Sequence, residues 1–255
     1  MDKEMFIKLL REAVSVFDKA MKRRILTFLL LLYTFNIYAQ VKSLEPELTP
    51  VPDIDWMECE RLFRMIDEDY SQFESMSQEK KEIVFLAEDD PILTHFFSSA
   101  CSWYCGGQID SIQVSSSLSE EYNAENIHDF SITTAWVEGK SGNGEGEYVR
   151  YLFPGSCPRI TDALILNGYV KDEMTWKNYG RVKKLLMYYN DKPYAVLNLK
   201  DSRDFQRFDV GILGYKDKET APDWNIKFEI LEIYPGEKYQ DTAITEIYFD
   251  GIDVH

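Results

Sequence analysis

The sequence predicts a mainly β protein, a sandwich or barrel, preceded by a short α-helical segment. Three observations predict it. After Gly106-Gly107 the apolar period changes from 3.6 residues to 2. From there the strand-like runs are separated by turn signals, with no helical pattern between them. Before it, residues 55–105 carry apolar residues at helical spacing. The expected organisation is a leader and signal over 1–39, a linker and helical segment over 40–107, and a β domain over 108–255.

Met21-Lys22-Arg23-Arg24 forms a basic n-region, Ile25 to Ile37 a short apolar run, and Tyr38-Ala39 a small-residue end before Gln40. The run is shorter than the roughly 20 residues of a membrane span. It predicts a secretory signal, a mature chain from Gln40 with no span, and a secreted or periplasmic location. Phe6, Leu9, Leu10, Ala13, Val14 and Phe17 share one helical face in front of it. A signal begins at its n-region, so Met21 is the expected start; an uncleaved helical anchor is the competing reading. No Cys follows the apolar run, so no lipid anchor is indicated.

The whole chain carries a net charge of −16. Removing 1–39 leaves 21 basic and 40 acidic side chains. Such a surface lacks the basic footprint that nucleic acid and anionic membrane require. Neutral sugars and cations remain compatible with it.

Residues 40–55 hold Glu45-Pro46, Thr49-Pro50 and Val51-Pro52, a linker composition. Asp55 is placed to cap a helix from Trp56, and Leu62, Phe63, Ile66 and Tyr70 recur at three- and four-residue spacing. Asp90-Pro91 marks a break, with a second helix expected to start near it. The segment has too little apolar content for a domain of its own and is expected to pack on an end or open face of the β domain.

Cys59, Cys101, Cys105 and Cys157 in an exported chain predict disulfides. A helical turn ending at Gly106-Gly107 brings Cys101 and Cys105 to about 6 Å, within bridging reach. Three connectivities remain open. The CxxxC spacing lacks the second pair or spaced histidine of a zinc site.

The strand-like runs are 109–118, 145–153, 160–167, 182–189, 193–200, 204–210, 224–230 and 243–250. Trp224, Ile226, Phe228 and Ile230 alternate with Asn225, Lys227 and Glu229, as a half-buried strand does. Asn190-Asp191-Lys192-Pro193 reads as a hairpin turn. The Gly142–Gly146 stretch precedes a strand and not a helix, so it reads as a hairpin loop and not a phosphate cradle. The sequence holds no GxSxG, HExxH, Walker A or paired CxxC, and His95, His128 and His255 are scattered. Glu138, Glu145 and Glu147 could include a glycosidase pair, but a charged loop lip is the more ordinary reading. No enzyme is expected.

Five ordered blocks then carry a resemblance. They are Ser115 to Phe153, Asn167-Gly168-Tyr169-Val170-Lys171, Asn178 with Arg181-Val182-Lys183, Tyr234-Pro235-Gly236, and Tyr239 to Ile247 closed by Phe249-Asp250-Gly251. Together they resemble the galactose-binding-like (discoidin, F5/8 type C) jelly-roll β-sandwich, in the variant of the NAD glycohydrolase translocation or glycan-binding domain. The resemblance implies a non-catalytic glycan-binding module. NAD glycohydrolase activity is not carried over, because the helical segment in front is too short for that catalytic domain. The partner implied is a glycan or surface polysaccharide, with an envelope protein as the alternative and a hydrolase acting through Glu138 as a weak third.

Sugar faces stack on aromatic rings, and hydroxyls take hydrogen bonds from amides, carboxylates and Arg. The matching positions are Trp136, Glu138, Asn167, Tyr169, Asn178, Arg181, Tyr239 and Asp241. Trp136 reads equally as a core tryptophan, and Asn167-Gly168-Tyr169 equally as a strand end with a turn. Tyr169, Arg181 and Asp241 are expected to converge at one end of the sandwich. The resemblance also implies a structural calcium ion at Asn126, Asp129, Thr134 and Glu246, hard oxygen donors of the kind Ca²⁺ takes. Glu246 is expected on the opposite strand face from Ile247 and Phe249, and a capping role for Asp129 is equally open.

Overall fold

A computed structural model describes residues 41–51, 55–89 and 103–254, together with Arg24. The rest of the signal and leader, the break at Asp90-Pro91, Phe96-Phe97 and Cys101 lie outside the described residues. The chain divides into a unit over Met1–Lys42 and a unit over Ser43–His255, and the second is the one described below.

Among the described residues eleven strands form the body: β1 Lys42–Leu44, β2 Glu47–Thr49, β3 Ser111–Val114, β4 Trp136–Val137, β5 Tyr148–Phe153 and β6 Arg159–Asn167, then β7 Gly180–Tyr189, β8 Lys192–Asn198, β9 Phe205–Leu213, β10 Trp224–Tyr234 and β11 Thr242–Ile252. One layer runs β2-β9-β6-β11 with β4 on β11, and the other runs β1-β8-β7-β10-β5-β3. The layers join where β11 begins. Thr242 and Ala243 run parallel to Gly180 and Arg181 of β7 before β11 turns onto β6 as an antiparallel partner. The fold is a mainly β sandwich, as the period change predicts.

Burial follows the alternation. Trp224, Ile226, Phe228 and Ile230 all enter the core between the layers, with Tyr151, Phe153, Phe208 and Phe249. Phe153 stacks on Trp224 with ring centroids 4.4 Å apart. At the β7–β8 hairpin Asn190 and Asp191 have φ of 48° and 61°, the left-handed pair that a two-residue turn with matching twist needs. Among the described residues no helix is long and apolar enough to cross a membrane.

The helices are α1 Trp56–Glu68, α2 Ser71–Ser75, α3 Gln78–Asp89 and α4 Glu173–Asn178. Asp55 caps α1 as expected, its Oδ1 accepting the Glu58 N–H at 3.0 Å. Trp56 and Cys59 of α1 then pack with Leu166, Phe205 and Tyr248 on the outer face of the β2-β9-β6-β11 layer. A sheet with apolar residues on both faces needs a second cover, and α1 supplies it. Glu60 pins the helix there. Its carboxylate accepts from the Ser131 hydroxyl at 3.0 and 3.1 Å and from the Ile132 N–H at 3.2 Å. Burial raises the Glu60 carboxyl above its ordinary range.

The stretch expected to be a linker is partly ordered strand. β2 pairs with β9, and β1 pairs with β8, where the Asn198 amide donates to Ser43 Oγ and the Leu44 carbonyl. Proline-rich extended chain still offers a free edge to a neighbour, which composition does not reveal. Cys59 and Cys157 are free. Cys157 instead exchanges hydrogen bonds with the Gln108 backbone, accepting at 3.3 Å and donating at 3.2 Å.

Candidate functional site

The end of the sandwich at the last residues of β6 and β10 and the first residues of β7 and β11 gathers the loops 115–147, 168–179 and 235–241. Two glycines let these loops close on one another. A Cβ on Gly168, whose φ is +83°, would lie 2.5 Å from Arg181 Cγ, and one on Gly236 would lie 2.4 Å from the Asn178 carbonyl oxygen. Asn178 O in turn accepts the N–H groups of Lys238 at 3.2 Å and Tyr239 at 2.9 Å.

The loops bring four tyrosines together. Tyr122, Tyr169 and Tyr179 form a triangle with ring centroids 6.3, 6.4 and 5.9 Å apart. Tyr239 joins it through Tyr179 at 4.6 Å with the rings tilted by 37°. Tyr122, Tyr169 and Tyr179 are half-buried and Tyr239 is 36% exposed. The Tyr169 hydroxyl donates to the Thr133 carbonyl at 3.0 Å, and burial pushes its pKa up to about 12. Burial, and then a hydrogen bond with Tyr122, raises the Tyr179 phenol as well. Tyr169 and Tyr179 stay neutral across physiological pH, and all four rings present apolar surface with polar tips. Asp241 lies beside them, half-buried, with its carbonyl accepting the Gly180 N–H at 2.9 Å.

Of the residues matched to ligand binding, Tyr169, Asn178, Tyr239 and Asp241 fall in or beside this cluster. The other four do not present themselves to a ligand. Trp136 is fully buried in the core, its Nε1 donating to the Ser116 carbonyl at 2.9 Å. Glu138 is fully buried, and its two oxygens accept the N–H groups of Thr242 and Lys140 at 3.1 and 2.8 Å. Burial raises its pKa, but its lone pairs are committed to the backbone. Asn167 is fully buried and bonded to Val182. Arg181 is buried against Asp201, with Nε and Nη2 donating to Oδ1 and Oδ2 at 3.0 and 3.1 Å. Its Nη1 donates to the Tyr179 and Pro235 carbonyls at 3.1 and 3.0 Å, and its guanidinium covers Trp176 at 4.8 Å. Arg181 therefore sits at the expected end beside Asp241, yet its charge is spent on Asp201.

Tyr122 and Tyr179 are the members that motif reading missed. Both lie inside or next to matched blocks, and aromatic residues in each of the three loops were the signal available.

The residues matched to calcium surround the 126–134 loop. Asp129 Oδ1 accepts the Ser131 N–H at 3.0 Å and Oδ2 accepts the Thr134 hydroxyl at 2.7 Å. Asn126 spends its amide nitrogen on the Glu121 and Ala135 carbonyls at 2.7 and 3.0 Å. Glu246 is fully buried on the face opposite Ile247 and Phe249; its Oε1 accepts the Ser131 N–H at 3.0 Å. Its Oε2 is buried with no hydrogen-bond partner. Burial, and then the neighbouring Asp129 carboxylate, raises Glu246 well above the carboxylate range. Two neighbouring carboxylates, one carrying the buried Glu246 Oε2, are hard oxygen donors of the kind a cation takes. No cluster of three His, Cys, Asp or Glu side chains stands ready for a metal among the described residues. Any further ligands would be carbonyl or hydroxyl oxygens.

The sandwich with its aromatic, polar-rimmed loop end is of the F5/8 type C class. Residues 103–250 match the NAD glycohydrolase translocation F5/8 type C domain, and the chain belongs to that family. Among solved structures it is similar to the two CBM32 domains of Clostridium perfringens ZmpB in complex with GalNAc. That similarity is 14% identity at TM-score 0.42, over 56% of this chain and 33% of that one. It is also similar to CpGH89CBM32-5 of Clostridium perfringens in complex with GalNAc-β-1,3-galactose, at 13% identity and TM-score 0.40, over 59% of this chain and 100% of that one. A third is chitosan-binding module 1 of a Paenibacillus chitosanase/glucanase, at 12% and 0.37, over 58% and 98%. The chain thus spans about a third of the first of these structures. No curated protein matches it.

Proposed function

We propose that the protein is a secreted or periplasmic, non-catalytic glycan-binding module whose ligand rests on Tyr122, Tyr169, Tyr179 and Tyr239. The observation that carries this reading is the cluster itself: four phenols from three loops meet at the loop end, and Tyr239 stays open to solvent. A sugar ring packs its C–H face on such rings, while Asn178 and Asp241 sit beside it to take hydroxyls. Burial of Glu138 with both oxygens committed favours binding over hydrolysis. A glycan array probed with the purified chain tests the reading. Binding to one family of glycans that Tyr239→Ala weakens is expected; a silent array from a folded chain overturns it.

The same reading includes a structural calcium ion held by Asp129 and Glu246, supported by the partnerless Glu246 Oε2. When bound, the ion would neutralise the two facing carboxylates. A second reading, a docking module for an envelope protein, is favoured by one feature. On the helical segment Met57, Tyr70 and Phe85 are 64%, 69% and 47% exposed, and Phe73 joins Tyr70 to Phe85 through ring contacts at 5.9 and 5.7 Å. A single partner retained by the chain alongside a silent array would favour it.

A further inference from the structure

We infer that Glu60 of α1 is a positioning residue for the tyrosine site, so that the docked helix orients a ring on which the ligand rests. The inference rests on the glycan reading above and adds to it the element that sets Tyr169.

One irregular stretch lies between the helix and the site. Residues 131–133 belong to no strand or helix. Phe130, just before them, has φ of 60°, a left-handed conformation that is costly for a bulky side chain. Such a stretch keeps one shape only where its surroundings impose it. Glu60 imposes it from the helix side. Besides the Ser131 hydroxyl and the Ile132 N–H, the carboxylate accepts from the Thr133 hydroxyl, at 3.4 Å on Oε2. Ser131 Oγ passes the hold along, accepting the Thr133 N–H at 3.1 Å and lying 2.8 Å from Thr133 Oγ1. Thr133 is thus fixed toward Glu60 by its amide and hydroxyl. Its carbonyl faces the other way and accepts the Tyr169 hydroxyl at 3.0 Å. Glu60 is buried, so water does not compete for these bonds.

The two parts joined by this link are each held without it. The Val170 N–H donates to Thr245 Oγ1 at 3.1 Å, and that hydroxyl donates to the Gly168 carbonyl at 2.7 Å, which ties 168–170 to β11. The helix packs on the sheet through Trp56 and Cys59. What travels from α1 to Tyr169 is therefore confined to the ring, which stands 6.3 Å from Tyr122 and 5.9 Å from Tyr179. A helix lying on one face of the sandwich in this way reaches the loop end.

The test is an NMR spectrum of the chain isotope-labelled in its tyrosines, with the Tyr169 ring signal identified by its loss in Tyr169→Phe. Glu60→Ala is expected to move the ring signals of Tyr169, Tyr122 and Tyr179. Those of Tyr189 and Tyr194, at the β7–β8 hairpin, should stay in place. Glu60→Gln keeps an oxygen for the Ile132 N–H and should restore most of the wild-type spectrum. Titration of the same samples with methyl β-galactoside, a neutral sugar with an apolar face, adds the affinity. Glu60→Ala should weaken binding by about threefold to tenfold, and Glu60→Gln should recover it. In a Tyr169→Phe background, where Thr133 no longer holds the ring, Glu60→Ala should weaken binding no further, because the two changes cut one path.

Ring signals that stay in place in Glu60→Ala overturn the inference, since Glu60 would then pin the helix alone. Signals that move together with those of Tyr189 and Tyr194 overturn it too, because the loss would be one of packing at large. Additive losses of affinity in the double variant have the same force. Should Glu60→Ala not fold, Ser131→Ala carries the same expectations, because it cuts the link at its middle. If the sugar binds no form of the folded chain, the glycan reading is what suffers, and the ring signals still decide the role of Glu60.

Discussion

The Asn167 side chain pairs with the Val182 backbone as a neighbouring strand would. Its Oδ1 accepts the Val182 N–H at 2.9 Å and its Nδ2 donates to the Val182 carbonyl at 2.7 Å. The pairing ties the last residue of β6 in one layer to β7 in the other, just below the tyrosine loops. Asn167→Ala would strand both groups of Val182 in a dry site. The expected loss is about 2–6 kcal/mol of unfolding free energy, measured by urea denaturation, from two orphaned polar groups at about 1–3 kcal/mol each.

Arg181 is expected to behave as a clamp and not as a ligand group. Arg181→Ala removes the bidentate pair with Asp201 and the two carbonyl contacts. Because Asp201 is partly exposed, its charge can rehydrate, and the loss should be about 2–3 kcal/mol, below that of a fully buried pair. Thermal unfolding checks this. Glycan affinity of the folded variant should stay within about twofold, less than 0.5 kcal/mol.

Tyr239→Ala should do the reverse. The ring is the most exposed of the four and closes no core contact. Melting should move little, while affinity for the array-identified glycan falls by about 1 kcal/mol or roughly fivefold, the worth of one aromatic contact. Tyr239→Phe should retain most of the affinity if the ring face is what binds.

Calcium and acidity should act on the same pair. With about 100 times its dissociation constant of calcium present, a binding site adds about 2.7 kcal/mol, a rise of roughly 5–10 °C in melting for a chain of this size. EDTA should reverse the rise, and Glu246→Gln should abolish it. Without the ion, the raised Glu246 carboxyl makes the folded state hold a proton that the unfolded chain releases. Its stabilising contribution is complete below the unfolded carboxylate range, near pH 4.3, and fades as pH rises toward the folded value. The wild-type chain minus Glu246→Gln should therefore show stability falling with rising pH. A flat difference would mean that Asp129 and Glu246 do not share the burden.

The strands of the sandwich were legible in the sequence because alternation is a local signal. Trp224 to Ile230 declare a face without help from any distant residue. The helical cap at Asp55 was legible for the same reason. The site was only half legible. Motif blocks mark positions at the loop end, but they do not tell a residue that holds the loops together from one that faces outward. Asn167, Arg181, Glu138 and Trp136 are polar or aromatic and lie in the matched blocks, yet their partners are Val182, Asp201, Thr242 and Ser116, at distances along the chain that no periodicity encodes. Tyr122 and Tyr179 went unread because only their neighbours in space make them a cluster.

The eight residues from Lys42 to Thr49 have one more consequence. β1 takes the open margin of one layer and β2 the open margin of the other, so a single stretch of chain hems both sides of the sandwich opposite the seam of β11 and β7. Two margins that would otherwise invite a foreign strand are occupied from within. Ser43 and Leu44 of the hem meet Asn198, which lies 155 and 154 residues downstream of them. Contacts across such a span are closed late, after their target strands exist. Until the sequence through β9 has been delivered, the nascent protein carries both margins bare. Its protection from edge-to-edge aggregation thus waits on the pairing of this short ribbon.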